Sequence, residues 1–141
     1  MKRVIALATS LGLIAFFAAS LMSCGKPKEE MAIQAAESWL SLVDEQEYLE
    51  SWEGLAGLFR KNVKKEEWVN DLNRFRKPLG KLLARKLQHE TKSSEPSVGE
   101  YLIFQYETSF ENKKPVAEAV SVIKDNDGKW RILGYSIPSG Q

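Results

Sequence analysis

At Pro78-Leu79-Gly80 the apolar residues change their spacing, and that change restricts the fold more than any other feature of the chain. Ahead of it they recur at helical steps. Ala32, Ala35, Ala36, Trp39, Leu40 and Val43 share one helical face. Asp44 to Glu47 interrupt the pattern and predict a tight turn, or, with no Gly or Pro among them, a helix that runs on bent; Tyr48, Trp52, Leu55, Ala56 and Phe59 then predict a second helical face, in which Gly54 and Gly57 permit close packing. A third helix is expected from Lys64 to Lys77, with Trp68, Val69, Leu72, Phe75 and Arg76 on one side. Pro78 ends it, since proline donates no N–H and disfavours helical geometry just before itself.

Past Gly80 the period is two. Leu82 to His89 predicts a first strand and Thr91 to Val98 a loop. Leu102, Phe104, Tyr106, Thr108 and Phe110 alternate with more polar residues, as in a half-buried strand. Val116 to Ile123 is rich in β-branched residues, Asp125-Asn126-Asp127-Gly128 reads as a hairpin turn, and Trp130 to Ile137 closes the sheet. Helices followed by a meander make an α+β domain: N-terminal helices packed on one face of a curved antiparallel sheet of about four strands.

The first 23 residues predict something else. Lys2 and Arg3 precede a nearly unbroken apolar run from Val4 to Leu21, the pattern of a secretory signal. Leu21-Met22-Ser23-Cys24 holds the only cysteine and resembles the bacterial lipobox, although Met22 is an unusual second residue. That resemblance implies cleavage before Cys24 and lipid attachment to its sulfur. Two other readings stay open: an uncleaved span, because about 20 apolar residues cross a bilayer, or ordinary cleavage near Ala18-Ala19-Ser20. The expected organisation is a signal peptide over 1–23, a tether over 24–30, and a single α+β domain over 31–141. The residue after Cys24 is Gly25 rather than the aspartate that retains enteric lipoproteins in the inner membrane, so in a cell with two membranes the outer one, facing the periplasm, is the expected address.

Loss of Lys2 and Arg3 takes the formal charge from +1 to about −1, so no overall field draws the protein to nucleic acid. With Cys24 committed to the anchor no disulfide is available, and a lone histidine, His89, makes a transition-metal site improbable. No cofactor is expected.

The later pieces resemble a bacterial domain-of-unknown-function family, number four thousand and nineteen. They are the run from Ala36 to Asp44; Tyr48, Ser51-Trp52 and Trp68; Arg76-Lys77-Pro78-Leu79-Gly80 with Arg85; Gly99-Glu100-Tyr101 and the run from Tyr106 to Phe110; Glu118-Ala119-Val120; and Gly128-Lys129-Trp130-Arg131 with Gly134-Tyr135. The resemblance implies a cystatin-like or NTF2-like cone and a place in the cell envelope, with no activity to transfer. Glu45-Gln46 stand where the family tends to have a small residue and glycine, and Ala119 stands where it tends to have threonine.

Glu118 shares a strand face with Val116, Val120 and Val122, an odd position for a charge unless it is paired. Arginine can fork onto a carboxylate, so an Arg85–Glu118 ion pair inside the sheet's concave side is expected, as structure or as part of a pocket, with plain exposure of the two charges the other reading. Catalytic residues are not expected: His89 has no nucleophile to serve, and Asp44, Glu45, Glu47, Glu50 and Glu53 cluster on one turn rather than opposing each other across a substrate. Arg74, Arg76, Lys77, Lys81, Arg85 and Lys86 form a basic stretch that either complements this acidic turn or meets an anionic envelope polymer.

Two functions follow. One is a non-enzymatic lipoprotein, held to the membrane by its N-terminal lipid and binding an envelope protein or polymer. The other is a small-ligand binder or enzyme using a cone whose mouth is lined by Trp52, Trp68, Tyr106, Tyr135, Arg85 and Glu118.

Overall fold

The computed structural model describes residues 27–138; the expected signal peptide and Cys24 lie outside the described residues. The helical half comprises α1 (Lys28–Asp44), α2 (Tyr48–Glu53), α3 (Gly57–Arg60) and α4 (Lys65–Phe75), followed by a single 3-10 turn at Lys77–Leu79. Strands β1 (Leu82–Glu95), β2 (Gly99–Phe110), β3 (Lys113–Lys124) and β4 (Trp130–Ser136) follow, in the spatial order of the chain and antiparallel throughout. The protein is α+β, an open four-stranded sheet with helices on one face.

Alternation decides which face is covered. Leu102, Phe104, Tyr106, Thr108 and Phe110 of β2 all point inward and are buried, beside Glu118, Val120 and Val122 of β3 and Ile132 of β4. Ala32, Ala36, Trp39, Leu40 and Val43 of α1 meet them. The two alanines let the helix axis approach the strands, and each large apolar side chain removed from water contributes about 1.5–3 kcal/mol. Trp39 is the hub of the aromatic packing: its ring centroid lies 6.1 Å from that of Trp68 and 5.1 Å from that of Tyr135. Its Nε1–H donates to the Ser51 carbonyl at 2.8 Å, while Trp68 Nε1 donates to the Ser51 hydroxyl at 3.0 Å.

The helical half departs from the expected boundaries. α1 starts at Lys28, so residues 28–30 of the expected tether form its first turn; Pro27 precedes it and Glu29 and Glu30 face the positive end of the helix dipole. The expected second helix is broken in two. After Gly54 the chain leaves helical geometry to run beside β4, where Ala56 N–H donates to the Ile132 carbonyl at 2.7 Å and Ile132 N–H to the Gly54 carbonyl at 3.0 Å. Gly54 is therefore a helix end rather than a helix interior, and a Cβ there would lie 2.8 Å from Trp39 Cδ1. Phe75, expected on the packed side of α4, is 40% exposed.

The expected loop over Thr91 to Val98 is mostly strand. β1 runs on to Glu95, with Lys92 opposite Leu102 and Ser94 opposite Glu100. Its serines and threonine read as loop residues, but an edge strand takes its hydrogen bonds from the neighbouring backbone and leaves such side chains in water. Only Pro96 to Val98 remain to turn the chain.

Asp44 to Tyr48 turn tightly, as expected, and Gln46 takes φ +64° there. Left-handed backbone costs an L-residue roughly 1–2 kcal/mol, and glycine pays part of that back through its freer unfolded state. Gln46→Gly is thus expected to raise stability by about 0.5–1 kcal/mol, measured as a higher urea midpoint with unchanged slope.

Candidate functional site

Six side chains from six segments meet at the end of the sheet where β1 and β3 begin. Asp44 is the last residue of α1. Arg76 directly follows α4, and the turn through Pro78 brings the chain around so that Gly80 can accept from it. Arg85 on β1 is paired in register with Thr108 on β2, and Glu118 on β3 with Tyr106. Tyr135 on β4 lies opposite Val120, one inward position further along β3.

Arg85 is gripped on both edges of its guanidinium. Its Nε donates to Glu118 Oε2 at 2.6 Å and its Nη2 to Glu118 Oε1 at 3.2 Å; Nη1 and Nη2 donate to the two Asp44 carboxylate oxygens at 2.7 and 3.0 Å. Glu118 also accepts from the Thr108 and Tyr135 hydroxyls, each at 2.7 Å. Arg76 donates to Asp44 Oδ1 at 2.8 Å and to the Gly80 carbonyl at 2.8 Å, and its guanidinium lies 4.2 Å from the Phe110 ring centroid. Glu118 is fully buried and Arg76 is 2% exposed. Two cations and two anions cancel, and such a group survives burial only because each charge has a partner and the carboxylates accept several hydrogen bonds.

The environment also fixes protonation. Burial works to lower the Arg85 pKa, but its hydrogen bonds to Asp44 and Glu118 and their charges outweigh it and hold the value above the ordinary one. Desolvation, then the charge of Glu118 and the hydrogen bond to it, push Tyr135 well above the usual phenol. Tyr106, buried and near Glu37, is pushed up to about 12. Both tyrosines hold their protons in the fold while unfolded tyrosine ionises near pH 10. Stability is thus expected to be unaffected by them below about pH 10 and to fall as pH rises from there toward 12. Tyr106→Phe, which removes a hydroxyl with no hydrogen-bond partner among the described residues, is expected to leave the urea midpoint at pH 7 unchanged or higher and to flatten its alkaline decline.

The structure thus brings Arg85 and Glu118 together, and with Tyr135 they form one cluster. Trp52, Trp68 and Tyr106 are placed otherwise. Trp68 is buried under Trp39 and Phe59 in the helical layer. Trp52 lies at the helical surface between Arg60 and Lys65, whose charged ends sit 5.2 and 4.8 Å from its ring centroid. Tyr106 is buried beneath α1. Three surface grooves, of about 380, 300 and 280 Å³, lie away from the Arg85–Glu118 pair; Tyr106 borders the last of them beside exposed His89, and Trp52, Trp68 and Tyr135 border none of the three.

Asp44, Arg76 and Thr108 are the members that pattern reasoning left out of the site. Asp44 belongs to an acidic run that reads as a solvated turn; the pointer to it was the basic stretch of matching size, two of whose members, Arg76 and Arg85, do bind it. Arg74 pairs instead with Asp71, and Lys77, Lys81 and Lys86 are exposed. Among the described residues no group of three or more His, Cys, Asp or Glu is placed to hold a metal ion, and no helix is long and apolar enough to cross a membrane.

A family model described as a protein of unknown function (DUF4019) matches residues 35–135, from the middle of α1 to the end of the sheet and including all six residues of the cluster. No curated protein matches the chain.

Proposed function

We propose, for a chain that belongs to the DUF4019 family of unknown function, that it is a lipid-anchored envelope lipoprotein whose single domain is a non-catalytic interaction module. The anchor is supported by the cationic start, the apolar run and the lone Cys24 at the cut. The observation that carries the non-catalytic part is how the buried charges are spent. Arg85 presents both edges of its fork to Asp44 and Glu118, and Glu118 accepts four hydrogen bonds from Arg85, Thr108 and Tyr135. A general acid or base needs an oxygen free to face a substrate, and these oxygens face their own fold.

The interaction surface we assign is the outer face of the sheet. Tyr101 and Ile103 of β2 and Ala119 and Ser121 of β3 alternate outward there, half-exposed, and the helices pack on the opposite face. A patch of that kind, with Tyr101 and Ile103 set among Ser121, Gln105, Thr91, Lys86 and Glu107, suits a protein partner in the envelope. The test is a photo-crosslinking residue placed at Ile103 in the full chain in cells, with the same residue at exposed Asn73 on the helical side as control. A discrete adduct with one envelope protein at 103 and none at 73 is expected, together with its loss when Cys24→Ser releases the chain from the membrane. No adduct at 103, or equal adducts at both positions, contradicts the reading.

A further inference from the structure

One end of the domain holds the start of α1. Lys28 Nζ lies 3.6 Å from Glu100 Oε2, at the start of β2, and 5.8 Å from the Trp130 ring centroid, at the start of β4. The turns at 96–98 and 125–128 and helix α3 lie at the same end, α3 being tied there by Gly57 N–H donating to Asp125 Oδ2 at 3.1 Å. The charge cluster occupies the opposite end. From Cys24 to Pro27 there are three residue steps, which span at most about 11 Å. A lipid on Cys24 therefore holds the Lys28 end close to the leaflet and turns the Arg85–Glu118 end away.

What the Lys28 end offers a leaflet is specific. A groove of about 380 Å³ runs there between α3 and the two turns, with Leu58, Val98 and Ile123 as its apolar parts and Lys61 and Lys124 on its border. Leu58 is 39% exposed. Of the carboxylates of this end, Asp127, Asp125 and Glu100 are engaged, while Glu29 and Glu30 lie exposed in the first turn of α1. Asp127 is held by Arg131 at 2.6 and 2.7 Å, Asp125 by Arg131 and the Gly57 and Asn126 amides, and Glu100 is shared by Lys28 and Lys92. Hydrogen bonds from Arg131 and Lys129 hold the Asp127 carboxyl far below the usual range, so it stays an anion bound to its own fold. Lys61 and Lys124 form no ion pair among the described residues, and both are exposed.

From this we infer that the groove is the membrane-facing surface of the domain and that it takes anionic phospholipid headgroups, through Lys61 and Lys124, with Leu58 and Val98 at the level of the interface. The inference rests on the anchor proposed above and deepens it by fixing which way the domain faces.

The test uses the protein extracted from its native membrane and reconstituted into phosphatidylcholine vesicles with and without phosphatidylglycerol, each doped with a photoactivatable phospholipid. A second arm couples the chain beginning at Cys24 through that thiol to a maleimide-bearing lipid. Peptide mapping is expected to place lipid adducts within 57–61, 96–98 and 123–126, more of them with phosphatidylglycerol present, and to place none within 77–81 or 111–114. Lys61→Ala and Lys124→Ala are each expected to cut the phosphatidylglycerol-dependent adducts about fivefold, with the urea midpoint unchanged. Adducts at the opposite end, an even spread, indifference to phosphatidylglycerol, or crosslinks to a second copy at these residues overturn the inference. Should the extracted protein carry no lipid, the anchor fails, and the maleimide-coupled arm still decides the face by the same pattern.

Discussion

Glu118→Gln is expected to destabilise the protein by about 3–5 kcal/mol. The change is nearly isosteric, so packing is not the cause. It removes the anion that receives Arg85 Nε and Nη2 and leaves the Arg85 charge facing a neutral amide, at a position with 0% exposure. It also weakens the acceptor for the Thr108 and Tyr135 hydroxyls. Asp44 still grips Arg85 from the other side, which puts the loss toward the lower bound. The double variant Arg85→Met with Glu118→Leu removes both charges together and is expected to cost less than the two single changes summed, since no buried ion is stranded and Asp44 keeps Arg76. Urea unfolding of the four proteins measures the coupling. Strict additivity would mean that the two residues do not depend on each other.

Trp39→Ala is the second large effect, at about 3–5 kcal/mol. The indole sits between Trp68 and Tyr135, fills the notch left by Gly54, and donates to the Ser51 carbonyl. Alanine leaves a cavity that the neighbours cannot close, because Ser51 is itself fixed by Trp68 and by the Tyr48 carbonyl. Trp52, half-exposed and lying outside the sheet core, is expected to cost clearly less as Trp52→Ala. Equal losses at both positions would mean that Trp39 is not the hub.

The inner face of β2 was readable residue by residue, because alternation of Leu102, Phe104, Tyr106, Thr108 and Phe110 has one burial solution. Glu118 was readable for the complementary reason: a carboxylate among valines demands a cation, and Arg85 was at hand. The break of the second helix at Gly54 was not readable. Its cause is a backbone pairing with Ile132, which lies far along the chain and leaves no local mark. The length of β1 was hidden for a related reason, since Thr91 to Ser94 owe their strand geometry to the backbone of β2 and not to their own side chains. Asp44 escaped because helical periodicity assigns it to a turn, and only the folded positions of Arg76 and Arg85 give it a buried role.

The buried cluster and the start of α1 lie at opposite ends of one domain. The cluster ties α1, the end of α4 and all four strands together with its charges paired inside the fold, and this suits a rigid head presented from a surface. The proposed placement of the domain at a membrane rests on where the mature chain starts. Intact-mass analysis of the protein extracted from its own membrane reads that directly. The expected mass is that of residues 24–141 plus a diacylglyceryl group on Cys24, with added mass confined to the N-terminal peptide. A mass that retains residues 1–23, one that starts after Cys24, or one that starts at Cys24 without fatty chains would contradict it.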